Sequence, residues 1–162
     1  MQSPSRSHGF TLIEIIVSVA ILLLLSGLFI ANYNGFSSSQ TVRQATSDLV
    51  TNLQAVRTSA AAGVKPLACD TLVGYTVSFP TLSTYTASAL CLVGGSEQSV
   101  GTVNSYTLPT GVTFSPTPDA ITFYALNRGA SADQTISLTG SGITMKVSVF
   151  TSGVVSDFVS PP

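Results

Sequence analysis

The sequence predicts an α+β protein: a long N-terminal helix, its first half apolar enough for a membrane and its second half amphipathic, packed on an antiparallel β-sheet head. Three observations predict it. Residues 15–31 read IIVSVAILLLLSGLFIA without a charge. Apolar residues then recur with a helical period between positions 42 and 60, and beyond Pro66 the period changes to that of strands. Charged residues make up 8% of the 162, against about 25% in an average soluble domain, and hydrophobic residues 44%. Such a chain does not have the composition of a disordered one. Six Lys+Arg against seven Asp+Glu leave a formal charge of −1, so no basic field attracts nucleic acid.

Taken in order, the chain begins with a polar stretch, residues 1–9, carrying Arg6 and the sole histidine, His8. Extending the apolar run back to Phe10 gives twenty-two residues interrupted only by Glu14. As a helix they reach about 33 Å, enough for a hydrocarbon core of about 30 Å. Arg6 before the span, with no further basic residue until Arg43, predicts a cytoplasmic N-terminus and an exported head. Ordinary signal-peptide cleavage is the alternative, and Ser26-Gly27-Leu28 or Ala31 offers it only a poor pattern. An acid at the end of an apolar helix costs free energy unless paired, so Glu14 is a functional candidate; the plain alternative is snorkelling to the headgroups.

Residues 32–40, NYNGFSSSQ, weaken a helix and mark a soft segment or a kink. Val42, Ala45, Leu49, Leu53, Val56 and Ala60 follow at a mean spacing of 3.6, with Arg43, Asp48 and Arg57 on other faces. Gly63 suits the position just past the helix end, and Lys65-Pro66 stops it. Strands are predicted over 73–79, 85–93, 103–108, 112–114, 121–126, 135–138, 143–150 and 154–159. Gly140-Ser141-Gly142 and Ser152-Gly153 read as tight turns, making the last three strands an antiparallel meander.

Gly9-Phe10-Thr11-Leu12-Ile13-Glu14, after a short basic leader and before the apolar run, resembles the prepilin cleavage motif of type IV pilins and type II secretion pseudopilins. The resemblance implies a pilin-like fold, cleavage between Gly9 and Phe10 by a prepilin peptidase, and methylation of the new N-terminal Phe10. It assigns Glu14 an assembly role, pairing with the N-terminal amine of a neighbouring subunit. The expected divisions are a leader over 1–9, a transmembrane half-helix over 10–31, its amphipathic continuation over 32–63 and a β-rich head over 64–162. The implied partners are other pilin or pseudopilin subunits, the prepilin peptidase and an inner-membrane assembly platform. The implied location is the inner membrane, then a filament. Leu53-Gln54-Ala55-Val56-Arg57 with Ala60-Ala61-Ala62-Gly63 resembles, more loosely, the helix end of GspH/FimT-type minor pseudopilins, as does the strand at 121–124, Gly129 and the closing strands around Gly153-Val154.

Cys69 and Cys91, the only two cysteines, lie in the part expected outside the cytoplasm and are a candidate disulfide; two buried free thiols are the alternative. No catalytic residue is proposed: without His8 the chain holds no histidine to serve as a base for a Ser or Cys nucleophile. No metal site or cofactor is expected either, since Asp48, Asp70, Glu97, Asp119, Asp133 and Asp157 lack calcium-loop spacing; a site built from loop carbonyls with Asp119 or Asp133 is the alternative. Beyond the helix only Lys65, Arg128 and Lys146 are basic, so binding to nucleic acid is not expected. The competing functional classes are a tip-located adhesin or DNA-uptake receptor on the same scaffold, and a membrane-tethered domain that never polymerises.

Overall fold

The computed structural model describes residues 11–159, with the side chains at 27–36, 38, 102, 103, 127 and 157–159 outside the description. The backbone forms one helix, α1 (Leu12–Ala61), followed by eight strands: β1 (Thr71–Ser78), β2 (Thr84–Val93), β3 (Ser96–Thr107), β4 (Thr113–Phe114), β5 (Ile121–Tyr124), β6 (Gln134–Gly140), β7 (Ile143–Val149) and β8 (Val155–Val159). By their contacts the residues fall into two compact units, the first ending at Ser37 and the second beginning at Ser38.

In the first unit α1 starts at a cap legible in the sequence as Thr-x-x-Glu. The Glu14 amide donates to Thr11 Oγ1 at 3.3 Å, satisfying one of the donors that a helix start leaves open. Ser18 and Ser26 donate their hydroxyls to the carbonyls of Glu14 and Leu22, each at 2.7 Å. Both hydroxyls are thereby satisfied inside the helix, which is what an apolar surrounding requires of them. Helical backbone runs unbroken through residues 32–40.

In the second unit the six residues of the amphipathic stripe, Val42, Ala45, Leu49, Leu53, Val56 and Ala60, are all buried. Thr46, also buried, donates its hydroxyl to the Val42 carbonyl and so costs little. α1 ends in a Schellman arrangement. Gly63, at φ +64°, donates to Ala60 O, and Val64 donates to Ser59 O. The residue expected past the helix end is the one that takes the left-handed conformation.

The head contains two four-stranded antiparallel sheets rather than one, ordered β3-β2-β1-β5 and β4-β6-β7-β8. The first wraps a meander and recruits β5 beside β1, in the register Tyr75↔Phe123; the second is β4 plus the expected meander of β6, β7 and β8. Their inner faces and the helical stripe close on one core that includes Val77, Tyr85, Ile121, Phe123, Ile136, Leu138 and Val147. Phe79 meets Phe114 edge-on at 5.1 Å, and the Phe114 amide donates to Leu82 O, so side chain and backbone both tie the two sheets.

Two strand expectations need correction. β3 begins at Ser96, seven residues before the expected 103, through a tight hairpin in which Gly94 and Gly95 both have positive φ. Its first half alternates poorly because Ser96 to Ser99 are all exposed and only Val100 packs inward. The strand expected over 121–126 stops at Tyr124, and Leu126 turns out at φ +57° in the short helical turn Ala125–Asn127.

Cys69 and Cys91 are joined, and with Ala89 they form a small buried cluster covered by Leu72, Tyr75, Val93 and Val100. The bridge pins the loop after α1 to β2 over a sequence separation of 22. In the chain-entropy picture such a loop contributes about 3 kcal/mol. Replacing both cysteines by alanine should lower the melting temperature of the head by about 10 °C with its far-UV circular dichroism unchanged. Thermal melts of the two proteins, each unreduced, read the difference directly.

Candidate functional site

The residues singled out at the N-terminus do not all fall within the described chain. Gly9 and Phe10 lie outside it. Glu14 sits in the first turn of α1, exposed, with its amide held by Thr11. Among the described residues its carboxylate has no hydrogen-bonding or ionic partner. At the positive end of a helix that carboxylate is favourably placed with respect to the helix dipole.

C-terminal to Glu14, α1 displays an uncovered apolar surface. Leu12, Ile13, Ile15, Ile16, Val17, Val19, Ile21, Leu22, Leu23, Leu24 and Leu25 are all exposed, Leu24 to 74%. A stretch apolar on every side is suited to lipid or to packing between chains, not to water. The described apolar side chains run from Leu12 to Leu25, about 20 Å of helix. Among the described residues no helix is long and apolar enough to cross a membrane. The uncharged run of the sequence continues to Ala31.

The head brings none of its acids into a metal-binding group: among the described residues no three of His, Cys, Asp and Glu cluster. Asp133 instead accepts the Thr151 amide, and Asp70 accepts the Gly94 amide at 3.2 Å; each ties one connection between elements to another. Arg128 donates to Ala125 O and Val73 O and lies 5.7 Å from the centre of the Tyr124 ring. Lys65 donates to Asp70 O, and Lys146 stands exposed on β7, in the other sheet from Tyr124.

Sequence reasoning did not anticipate a polar and aromatic site between α1 and β3. Asn52 donates to the Tyr85 hydroxyl at 2.7 Å, and the Tyr85 ring stacks on Tyr106 with centres 4.8 Å apart. Burial pushes the Tyr85 hydroxyl pKa up, partly offset by the Asn52 bond. The available signal was Asn52, a polar residue next to the Leu49–Leu53 stripe.

Residues 4–30 match a family model, the prokaryotic N-terminal methylation motif, which brackets the G-F-T-L-I-E string and most of the apolar run. No curated protein and no solved structure matches the chain. The chain thus carries the methylation motif at the head of an α+β architecture of one long helix and antiparallel sheets.

Proposed function

We propose, with the N-terminal methylation motif as premise, that this chain is a structural subunit of a type IV pilus or type II secretion pseudopilus, most like a GspH/FimT-type minor subunit. Residues 1–9 are the leader, 10–31 the membrane half of the helix, 32–63 its amphipathic continuation and 64–162 the head. A prepilin peptidase cuts between Gly9 and Phe10, and Phe10 is then N-methylated. The subunit waits in the inner membrane with its N-terminus in the cytoplasm and its head outside. An inner-membrane assembly platform then moves it into the filament. Its chemistry is assembly, not catalysis.

The single observation that carries this reading is the coincidence of the motif with an apolar surface uncovered along α1 from Leu12 to Leu25. That surface has two uses in sequence: solvation by lipid before assembly, and packing against other helices afterwards. Glu14 lies four residues from Phe10, about 6 Å along a helix, within reach of a neighbour's N-terminal amine in a staggered bundle. The pair stabilises only the correct stagger, since either charge left alone in an apolar layer is costly.

Intact-mass measurement on the protein extracted from membranes tests the reading. The expected mass is that of a chain beginning at Phe10 with one added methyl group. A mature N-terminus beyond Ala20 would mean ordinary signal-peptidase processing and would overturn the proposal.

A further inference from the structure

A cavity of about 410 Å³ lies between α1 and β3, lined by Asp48, Thr51 and Asn52 from the helix and Ser105, Tyr106 and Thr107 from the strand, over Tyr85. Successive side chains of a strand point to opposite faces, so three consecutive residues can line one cavity only if it runs along the strand's edge. β3 is the outer strand of its sheet, and among the described residues no strand pairs with that edge. The ladder shows which backbone groups face it. Leu108 donates to Ser83 O at 2.8 Å, in line with the pairs Tyr85↔Tyr106 and Ala87↔Asn104. With the alternation of an antiparallel ladder, Asn104 and Tyr106 turn their N–H and C=O groups toward β2, and Ser105 and Thr107 turn theirs toward the cavity.

A second cavity of about 90 Å³ shares Tyr106 with the first and lies under the inner face of the sheet, lined by Tyr75, Ala87 and Asn104 and by Ala55, Val56 and Ser59 of the helix. β3 carries a register irregularity opposite Ala87–Ala89, just before this stretch, but residues 104–107 themselves hold no Lys, no Pro and no charge; the one charge of β3, Glu97, lies on the far side of the irregularity. Asp48 is the only charged residue lining the larger cavity. Gln44 donates to one of its oxygens at 2.8 Å, which leaves the other to face a ligand.

We propose that this groove binds an extended peptide segment of another protein chain, which adds as a strand to the 104–107 edge of β3 and sets a Lys or Arg side chain against Asp48. Backbone hydrogen bonds to Ser105 and Thr107 supply the pairing. The stacked Tyr85–Tyr106 pair, fixed by Asn52, forms the floor on which the cation's aliphatic stem and charge rest. The site lies wholly within the second unit, from Ser38 onward, and is independent of the assembly role proposed for Glu14 and the apolar half of the helix.

The test uses the full chain in detergent micelles and fluorescence polarisation of a labelled acetyl-Thr-Val-Thr-Lys-Thr-Val-Thr-amide. Saturable binding of this peptide is expected, at least tenfold weaker with Glu in place of Lys and lost with Pro in place of both Thr residues beside Lys. Asp48→Asn should abolish the preference for Lys over Glu. Ser105→Pro should abolish binding while leaving the far-UV spectrum unchanged, because its N–H lies outside the β2 ladder. Thr107→Pro, at the last residue of β3, repeats the test if Ser105→Pro proves unstable. No binding of the Lys peptide at about 1 mM, an affinity weaker than about −4 kcal/mol, would overturn the proposal. So would undiminished binding in a folded proline variant, or equal binding of the proline-interrupted peptide. None of these outcomes bears on cleavage at Gly9–Phe10.

Discussion

Glu14→Ala is expected to leave synthesis, membrane insertion and the Gly9–Phe10 cut unchanged and to lower incorporation into filaments at least tenfold. An apolar side chain inserts into lipid more easily than a carboxylate, so insertion cannot be what the acid serves. A pair worth as little as 1.4 kcal/mol in the assembled state already accounts for a factor of ten. The Thr-x-x-Glu spacing offers a second duty, helix capping, that must be separated from the first; in the structure the Glu14 amide, not its carboxylate, bonds Thr11. Glu14 is the third residue of the helix, its amide bonded to Thr11 Oγ1, in the Thr-x-x-Glu pattern of a capping box. Glutamine serves a capping box as well as glutamate but carries no charge. Glu14→Gln should therefore fail like Glu14→Ala if the neighbour's amine is the partner, and behave as wild type if capping is the whole role. Glu14→Asp, shorter by one methylene, should be intermediate. The measurement is subunit abundance in sheared filaments, normalised to the major subunit. Wild-type abundance of Glu14→Ala would refute the pairing.

Gly129→Ala should be the most destabilising of the small substitutions in the head, by about 3 kcal/mol or more. Gly129 has φ +87°, where any other L-residue is strained by about 1–2 kcal/mol. An added Cβ would also collide with the Thr151 carbonyl oxygen. That carbonyl cannot simply retreat. It accepts the Ala130 amide at 2.9 Å, and the Thr151 amide is held by Asp133. Gly142→Ala is the control: φ is +77° there, but nothing lies within 4 Å of the new methyl, so only the backbone cost of about 1 kcal/mol remains. Urea unfolding followed by far-UV circular dichroism should place the two midpoints well apart. Equal midpoints would show that the β7–β8 connection yields more readily than its hydrogen bonds indicate.

The contrast between these two glycines also divides what was legible from what was not. Both stand in turn-like sequence, Arg128-Gly129-Ala130 and Ser141-Gly142-Ile143. Only the structure brings Thr151 against the first, because that contact joins residues far apart in the chain.

What the sequence determined by itself was whatever rests on neighbours along the chain. The G-F-T-L-I-E string and the apolar run occupy adjacent residues, and the same segment matches the methylation motif. The stripe from Val42 to Ala60 follows from a 3.6-residue period, and all six of its members are buried. The stop at Gly63 follows from the freedom of glycine at positive φ, and the meander of β6, β7 and β8 from short turns. Cys69 and Cys91 had no other cysteine to pair with.

Tertiary structure alone decided how the strands divide. β5 joins β1 rather than β6, its nearest following strand, and from that edge buries Ile121 and Phe123 in the shared core; hydrophobic burial is not directional and names no partner strand in advance. The start of β3 carries no period, since Ser96 to Ser99 are exposed on both faces of an edge strand and under no demand to alternate. The groove beside β3 exists because Asn52, Tyr85 and Tyr106, separated along the chain, meet where helix and sheet edge diverge. Local chemistry writes its signals into neighbouring residues, whereas a pairing partner or a gap is chosen by the packing of the whole core.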